Sequence, residues 1–490
     1  MSDPRSGFGT SYLGIDIGTS VAKAALFDDL GDLVAVASRP VDLSHPAPGH
    51  VEQDAGEVLD MVMEVVAAVR TEAGGDAPEV VGITAQGDGC WLLDDKGSPT
   101  RQAISWMDGR GHEILTDWQQ SGVLDKIFRI NGNALFPGCM APILAWLDTH
   151  EPQTLDRSAT AAYCKDMIFS AFTGERATDA SDASLPFGNA TGDGYSDEAL
   201  ELTGLSHRKG LLAPVETPLP SAPVNLAGSA SLGLAPATAV VSGPFDMAAC
   251  AIGGGVRELG DGLLIVGTTL ACQVLVDSLD VDGEPSGWHL STPTPGRWLR
   301  AMPSMVGSAS LDWILKTLGR KHSELEQALA TSAPGAGGVE VLPYFAPSGE
   351  RAPFVDSRAT GQYTGVRLTT TQEDLIRATC EGLAYAARDC FDAAGLTGRL
   401  VVCGGGARSR AWLRIFASVL NRPLLVARSP QVGAKGAVVA ALDTVGIEYD
   451  VPEWARPETT IDPDPAVVEM YEDGFQRYRA HRDSARDLWR

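Results

Sequence analysis

The chain has 490 residues, a net charge of −25 and 44% hydrophobic residues. That length favours two or more domains, each with material for its own core; the acidity argues against nucleic acid or an anionic membrane surface as main partner, but not against a small anionic ligand held by backbone N–H groups and a metal ion. None of the eight cysteines is spaced as CxxC, which favours buried thiols in a reducing compartment over a disulfide or zinc framework. No apolar run approaches the ~18 residues of a membrane span, and the opening MSDPRSGFGTSY lacks an apolar signal core, so a soluble, cytoplasmic protein is expected.

Residues 12–27 read as strand, tight turn, strand, and residues 33–38 return as a third strand after the turn Asp28–Gly31. Asp54 opens a helix with a pattern like a capping box to Glu57, carrying Val58, Val62, Val65 and Val69 on one face. Residues 80–85 form a buried-type strand ending at Gln86-Gly-Asp-Gly89, and residues 90–93 form another. The stretch 110–235 mixes helical patterns with Gly/Pro/Ser-rich connections. A strand over 237–241 ends at Ser242-Gly-Pro-Phe-Asp246. After a small-residue stretch the pattern restarts, with strands over 262–266 and 271–276 around Gly267-Thr-Thr269. This echo of the opening predicts two domains of related design, with a boundary near 250–260. Thr371 caps a helix carrying Ile376, Cys380, Leu383 and Ala387. Residues 400–403 are a strand running into Gly404-Gly-Gly-Ala-Arg-Ser409, then a helix with Trp412, Leu413, Phe416 and Leu420 inward. A terminal helix starts near Ala466. The whole is α/β.

Asp16 interrupts an apolar strand just before Gly18, Thr19 and Ser20. A carboxylate there is costly unless solvated, paired or metal-bound. The loop's N–H groups and hydroxyls suit a phosphate, with Asp16 placed for Mg²⁺; an ordinary hairpin turn is the competing reading. Gly404–Gly406 offers close backbone approach to a ligand at a helix start, where a plain connection needs fewer glycines. Taken alone, Asp246 reads as a helix cap before a small-residue run and Asp88, between two glycines, as a turn residue. There is no GxxxxGK[ST], GxGxxG after a strand, HExxH or GxSxG, which argues against P-loop, Rossmann, zincin and α/β-hydrolase chemistry.

Taken together, LGIDIGTS (13–20), ITAQGDG (83–89), ISWMDGR (104–110), SGPFDMAA (242–249), VGTTLA (266–271), APSGERAPF (346–354), ATCEGLAYAARD (378–389) and VVCGGGARSRAW (401–412) resemble the FGGY carbohydrate kinase family, in family order and over nearly the whole chain. The resemblance implies two actin-like (ribonuclease H-like) domains, 1–255 and 256–490, around a deep cleft where MgATP meets a sugar or polyol. It implies Asp16 as the Mg²⁺ residue and Gly18, Thr19 and Ser20 as the first phosphate loop. Gly267 and Thr268 are then the second phosphate loop, and Gly404, Gly405, Gly406 and Ala407 the adenosine loop. Asp246 is implied as catalytic base, and Gln86, Gly87, Asp88, Trp106 and Asp108 as lining the sugar site. A homodimer is the family habit.

Two departures stand out: Gln431 where many relatives carry Glu, with Lys435 where an apolar residue is usual, and Met247 where several ketose kinases are polar. AQGDG, WLLDD and SWMDGR look closer to the L-xylulose/erythritol branch than to glycerol kinases, with Arg-Glu at 87–88, or D-xylulose kinases, with Met-His there; Gly87 is expected to leave room or water in the pocket. The resemblance implies phosphorylation of a terminal hydroxyl of a four- or five-carbon polyol or ketose. An actin-like ATPase switch without a sugar substrate is the alternative; it would not need Asp246 or the polar cluster at 86–88.

Overall fold

A computed structural model of the chain describes residues 10–74 and 77–489, so most of the polar N-terminal tail lies outside the described residues. Within them, two main sheets are built to one plan. The first has six strands: β1 (Tyr12–Ile17), β2 (Val21–Phe27), β3 (Leu33–Pro40), β4 (Val80–Ala85), β5 (Ser221–Pro223) and β6 (Ala239–Ser242), in the order β5-β6-β4-β1-β2-β3. The second has seven: β7 (Gly262–Val266), β8 (Leu270–Val276), β9 (Trp288–Ser291), β10 (Trp298–Ser304), β11 (Leu400–Cys403), β12 (Leu424–Ala427) and β13 (Pro457–Ile461), in the order β9-β10-β8-β7-β11-β12-β13. In each, a run of antiparallel strands, three in the first sheet and four in the second, is followed by two parallel ones and an antiparallel edge. The repeated strand–Gly-Thr–strand signal is the first hairpin of each sheet. Sequence reasoning missed the pair β9–β10, although Pro295-Gly296 between the two strands is a turn signal.

Helix α1 (Ala55–Glu72) covers the first sheet with Val58, Val62, Val65 and Val69, the face its spacing predicts. Asp54 caps it by accepting from the N–H groups of Gly56 and Glu57, the forward half of a capping box. Buried helices α2 (Cys164–Thr173) and α3 (Ala180–Phe187) come from the mixed stretch. The small-residue stretch after residue 245 is helix α4 (Asp246–Gly253). Helix α5 (Gln372–Ala394) starts on the capping box of Thr371 and Asp374, and α6 (Arg410–Val419) and α7 (Val432–Val445) follow β11 and β12. All eight cysteines are free thiols, and among the described residues no helix is long and apolar enough to cross a membrane.

Helices α4 and α7 are exchanged between the halves. Helix α4 follows the first sheet, yet Ala248 and Ala251 pack with Leu263, Leu275, Val401 and Cys403 of the second. Helix α7 follows the second sheet, yet Ala434 and Val438 pack with Tyr12, Phe27, Val80 and Val241 of the first. The two helices also press on each other, so closely that a Cβ on Gly436 would fall 1.7 Å from the Ala249 carbonyl oxygen. Gly436→Ala therefore forces two backbones apart and should cost about 1–3 kcal/mol, read as a lower thermal midpoint; a wild-type midpoint would show that the helices are not in this contact. The edge strand β9 ties the halves again: the His289 and Ser291 N–H groups donate to Asn133 Oδ1 (2.7 Å) and Ser184 Oγ (3.1 Å), and Trp288 Nε1 to the Ala134 carbonyl (3.0 Å).

Candidate active site

Strands β1, β4 and β6 lie side by side and parallel, and each delivers a carboxylate near its C-terminal end. Ligands of open α/β sheets collect at such ends. Asp16 stands one residue before the end of β1, opposite Lys23 in the hairpin register. Asp88 follows β4 in a loop anchored by the Gln86 N–H on the Ile17 carbonyl (2.7 Å). Asp246 follows β6 as the first residue of α4, one past the cap position held by Phe245, and the helix amide that bears on its carboxylate is that of its neighbour Met247. The loop before it is held by Thr84 Oγ1 donating to the Pro244 carbonyl (2.6 Å) and by the Phe245 N–H donating to Ser181 Oγ (2.9 Å).

These three groups feel one another. Burial, then the charges of Asp16 and Asp88, push the Asp246 carboxyl up to about 8, against a lowering hydrogen bond from the Met247 N–H. Burial pushes Asp88 up to about 7, with the Cys139 thiol and the Arg351 cation opposing. Burial raises Asp16 as well, while Lys23 lowers it. Asp88 sits at φ 56°, a left-handed conformation costly for a non-glycine residue and concentrated at functional sites. Its Oδ1 is buried with no hydrogen-bond partner.

The expected space beside Gly87 is filled: a Cβ there would meet the Phe245 ring at 2.1 Å. Gln86 donates to Gln53 Oε1 (2.8 Å), and its own Oε1 is buried and unpartnered. Trp106 reaches the first phosphate-type turn, its Nε1 donating to Thr19 Oγ1 (2.7 Å). Asp108 has a different environment. Its two oxygens accept from the Val51 N–H (2.6 Å), the Arg110 N–H (2.8 Å) and the Arg110 guanidinium (2.8 and 2.9 Å), so it braces the loop and has no oxygen free of protein donors.

The turns at 18–20 and 267–269 close differently, Gly18 N–H on the Val21 carbonyl three residues on (3.0 Å) and Gly267 N–H on the Thr269 carbonyl two residues on (3.1 Å). Beyond them a cavity of about 640 Å³ is lined by Gly404, Gly405, Ala407, Lys23, Ser429 and Gln431, a size that takes a nucleotide or similar ligand. It adjoins Asp16: Gln431 lines it, and two residues on, at the start of α7, a Cβ on Gly433 would lie 2.7 Å from Asp16 Oδ2. Two of the three glycines answer to packing, since Cβ atoms on Gly404 and Gly406 would meet Val266 at 2.6 and 2.3 Å, whereas Gly405 faces open space. Gln431 puts a buried, unpartnered Oε1 beside this cavity, and Lys435 is buried with its ammonium on the Trp454 carbonyl (2.6 Å). Sequence reasoning missed Lys23, whose same-face placement with Asp16 was available once the hairpin was drawn, and Phe136, Cys139 and Arg351, which no local pattern singles out.

Two sheets of one design, a nucleotide-sized cavity and a row of strand-end carboxylates beside it define a sugar kinase with two actin-like domains. The chain belongs to the FGGY family of carbohydrate kinases: residues 11–253 match its N-terminal domain and 262–443 its C-terminal domain. It is 30% identical to an erythritol kinase of Brucella abortus (strain 2308), over 98% of this chain and 97% of that one, and 27% identical to a probable L-xylulose kinase of Pasteurella multocida (strain Pm70), over 96% and 97%. The crystal structure of xylulose kinase from Rhodospirillum rubrum matches with a TM-score of 0.87 and 28% identity, over 98% of this chain and 99% of that one. The chain is thus an ATP-dependent carbohydrate kinase.

Proposed function

We propose that this kinase phosphorylates a terminal hydroxyl of a four- or five-carbon polyol or ketose, with erythritol and L-xylulose the favoured candidates, and that Asp246 is its catalytic base. The observation that carries this reading is that Asp16, Asp88 and Asp246 stand at the C-terminal ends of three neighbouring parallel strands, close enough for the charges of Asp16 and Asp88 to bear on Asp246, which groups a candidate metal ligand, proton acceptor and sugar acceptor. The names of the relatives supply the substrate class.

In this reading the halves 1–255 and 256–490 hold the two substrates between them. Asp88, Gln86 and Trp106 meet the polyol. Asp108 acts through the loop it braces. Gly18, Thr19, Ser20, Gly267 and Thr268 meet the phosphates, and Gly404, Gly405, Gly406 and Ala407 the adenosine. Asp246 accepts the proton of the terminal hydroxyl as that oxygen bonds to the γ-phosphorus and the bond to the leaving ADP oxygen breaks. Asp16 would hold Mg²⁺. Among the described residues no group of three or more His, Cys, Asp or Glu forms a metal cage, which suits an ion held by one or two carboxylates together with substrate phosphates. When bound, Mg²⁺ neutralises charge on the phosphoryl oxygens.

A coupled ADP-release assay against C3–C6 polyols and ketoses tests the reading. Turnover strongly stimulated by a four- or five-carbon compound is the expected result. ATP hydrolysis indifferent to every polyol would instead favour a nucleotide-switch protein, and selective stimulation by glycerol or a hexose would overturn the chain-length assignment.

A further inference from the structure

Beside Asp88 lies a cation whose fork meets no protein acceptor. Glu350 uses its carboxylate on the end of β10 and its own loop, accepting from Ser304 Oγ (2.9 Å), the Met305 N–H (2.7 Å) and the Arg351 N–H (2.9 Å). Arg351 is pinned in turn. Its Nε donates to the Pro303 carbonyl (2.9 Å), and its guanidinium lies over the rings of Phe136 (5.6 Å) and Trp288 (5.3 Å). Among the described residues, nothing accepts a hydrogen bond from its two Nη groups. A guanidinium held this firmly by its Nε and two rings, with its Nη groups open to the outside, is placed to meet an acceptor that is not part of the protein.

The surroundings say what kind. Phe136 stands edge-on to Trp106 (6.4 Å), and the Gly89 N–H donates to the Gly138 carbonyl (3.0 Å), so Asp88, Trp106 and the 136–139 loop form one wall in the first half. Arg351 comes from the second. Its charge bears on Asp88 and Cys139, whereas the charges bearing on Asp246 are Asp16 and Asp88; Arg351 is therefore at the Asp88 end, away from the proton acceptor. Facing Arg351 there is a carboxylate with an unpartnered buried oxygen. A guanidinium only donates and a carboxylate only accepts. Their joint complement is a pair of neighbouring oxygens, one accepting and one donating, on a short carbon chain whose C–H groups rest on aromatic faces.

Resting on the polyol-kinase reading above, we propose that Arg351 is the specificity-determining residue for the end of the substrate remote from the transferred phosphate: it donates to a hydroxyl or carbonyl oxygen there while Asp88 accepts from the adjacent hydroxyl. Because Arg351 and Asp88 belong to different halves, the polyol itself then bridges the cleft.

The test compares wild type with Arg351→Met and Arg351→Lys, using erythritol, L-xylulose and 4-deoxyerythritol as acceptors. Losing charge-assisted hydrogen bonds to the substrate should raise the KM for the full-length acceptor roughly 10–100-fold in Arg351→Met, with the KM for ATP within about threefold of wild type. Arg351→Lys should fall between, because an ammonium keeps the charge and loses the fork. With 4-deoxyerythritol, which lacks the remote oxygen, wild type and variants should converge. Added guanidinium should restore part of the acceptor affinity of Arg351→Ala. An unchanged acceptor KM in Arg351→Met overturns the proposal, as does a parallel loss of acceptor KM, ATP KM and thermal midpoint, which would make Arg351 a structural brace. Wild type inert toward every polyol and ketose removes the functional reading and this inference with it; an active wild type with an indifferent Arg351→Met removes the inference alone.

Discussion

Asp246→Asn is expected to lower kcat by about 10²–10⁴-fold, the usual share of a positioned general base, while ATP affinity changes little. The side chain stands at the first position of α4, with Phe245 as the cap, so losing its charge does not unseat the helix. An amide is nearly isosteric and cannot take a proton, which separates the base from any steric role. In wild type the base must be ionised to act, and its pKa near 8 reflects burial first and the Asp16 charge second. The acid limb of kcat/KM should therefore rise through pH 7–8 and be absent from the residual rate of Asp246→Asn. A variant with near-normal turnover would remove Asp246 from the mechanism.

The same shift has a stability sign. A carboxyl whose folded pKa lies above its unfolded value favours the folded state most when protonated. Its contribution is full below the unfolded value of about 3.9 and is lost as pH rises through the folded value. For Asp246 and Asp88 that window ends near pH 8 and pH 7. The thermal midpoint of Asp246→Asn should thus exceed that of wild type by an amount that grows from pH 4 to pH 8 and then levels, so that the inactive variant is the more stable protein at working pH. Midpoints that keep a constant gap across this range would show that the group titrates normally.

Much of this site was legible because its signals are local. A carboxylate in an apolar strand followed by Gly-Thr-Ser marks β1 and its turn, and the same syntax at 262–276 marks the second sheet. Valine spacing gave α1, and Thr371 with Asp374 gave the start of α5. What stayed hidden depends on contacts between segments far apart in sequence. That α4 and α7 change sides is encoded in Gly436 and its tight contact with Ala249, which reads in one dimension as an unremarkable small-residue run. Gly404 and Gly406 carry a second constraint that the sequence does not show: a side chain on either would collide with Val266, so packing demands glycine there whatever the loop meets. Asp108 was legible as a carboxylate near the site, but its saturation by Arg110 and Val51 depends on a partner 57 residues away. Arg351 has no sequence neighbour that reveals its fork to be open.

Loss of Lys165 should cost a large part of the protein's stability. Its ammonium is fully buried and stands 2.7 Å from Asp166 Oδ1, 2.9 Å from Asp179 Oδ1 and 3.2 Å from Asp182 Oδ2. One cation serves three buried carboxylates, so burial and mutual repulsion already hold Asp166 and Asp182 above the usual carboxylate range, with Lys165 opposing. Removing one partner of a buried ion pair costs about 3–5 kcal/mol, because the remaining charge is uncompensated, out of a total of about 5–15 kcal/mol for a folded protein. Lys165→Met should therefore lower the midpoint at neutral pH by roughly 3–5 °C if the interlocked halves unfold together and up to about 10 °C if its own half unfolds first. Acidification should narrow the deficit, since protonated aspartates no longer need the cation, and adding Asp182→Asn should recover part of it. The cluster also carries the active site: Asp166 Oδ1 accepts from Ser242 Oγ (2.8 Å), and Asp179 Oδ2 accepts from the N–H of Ser181, the residue whose hydroxyl holds the Phe245 N–H. The loop that presents Asp246 thus hangs from Lys165 through two short chains of hydrogen bonds, and the surviving folded fraction of Lys165→Met should show reduced kcat with ATP affinity retained. A wild-type midpoint at pH 8 would mean that the three carboxylates find other partners and that the loop does not depend on this cation.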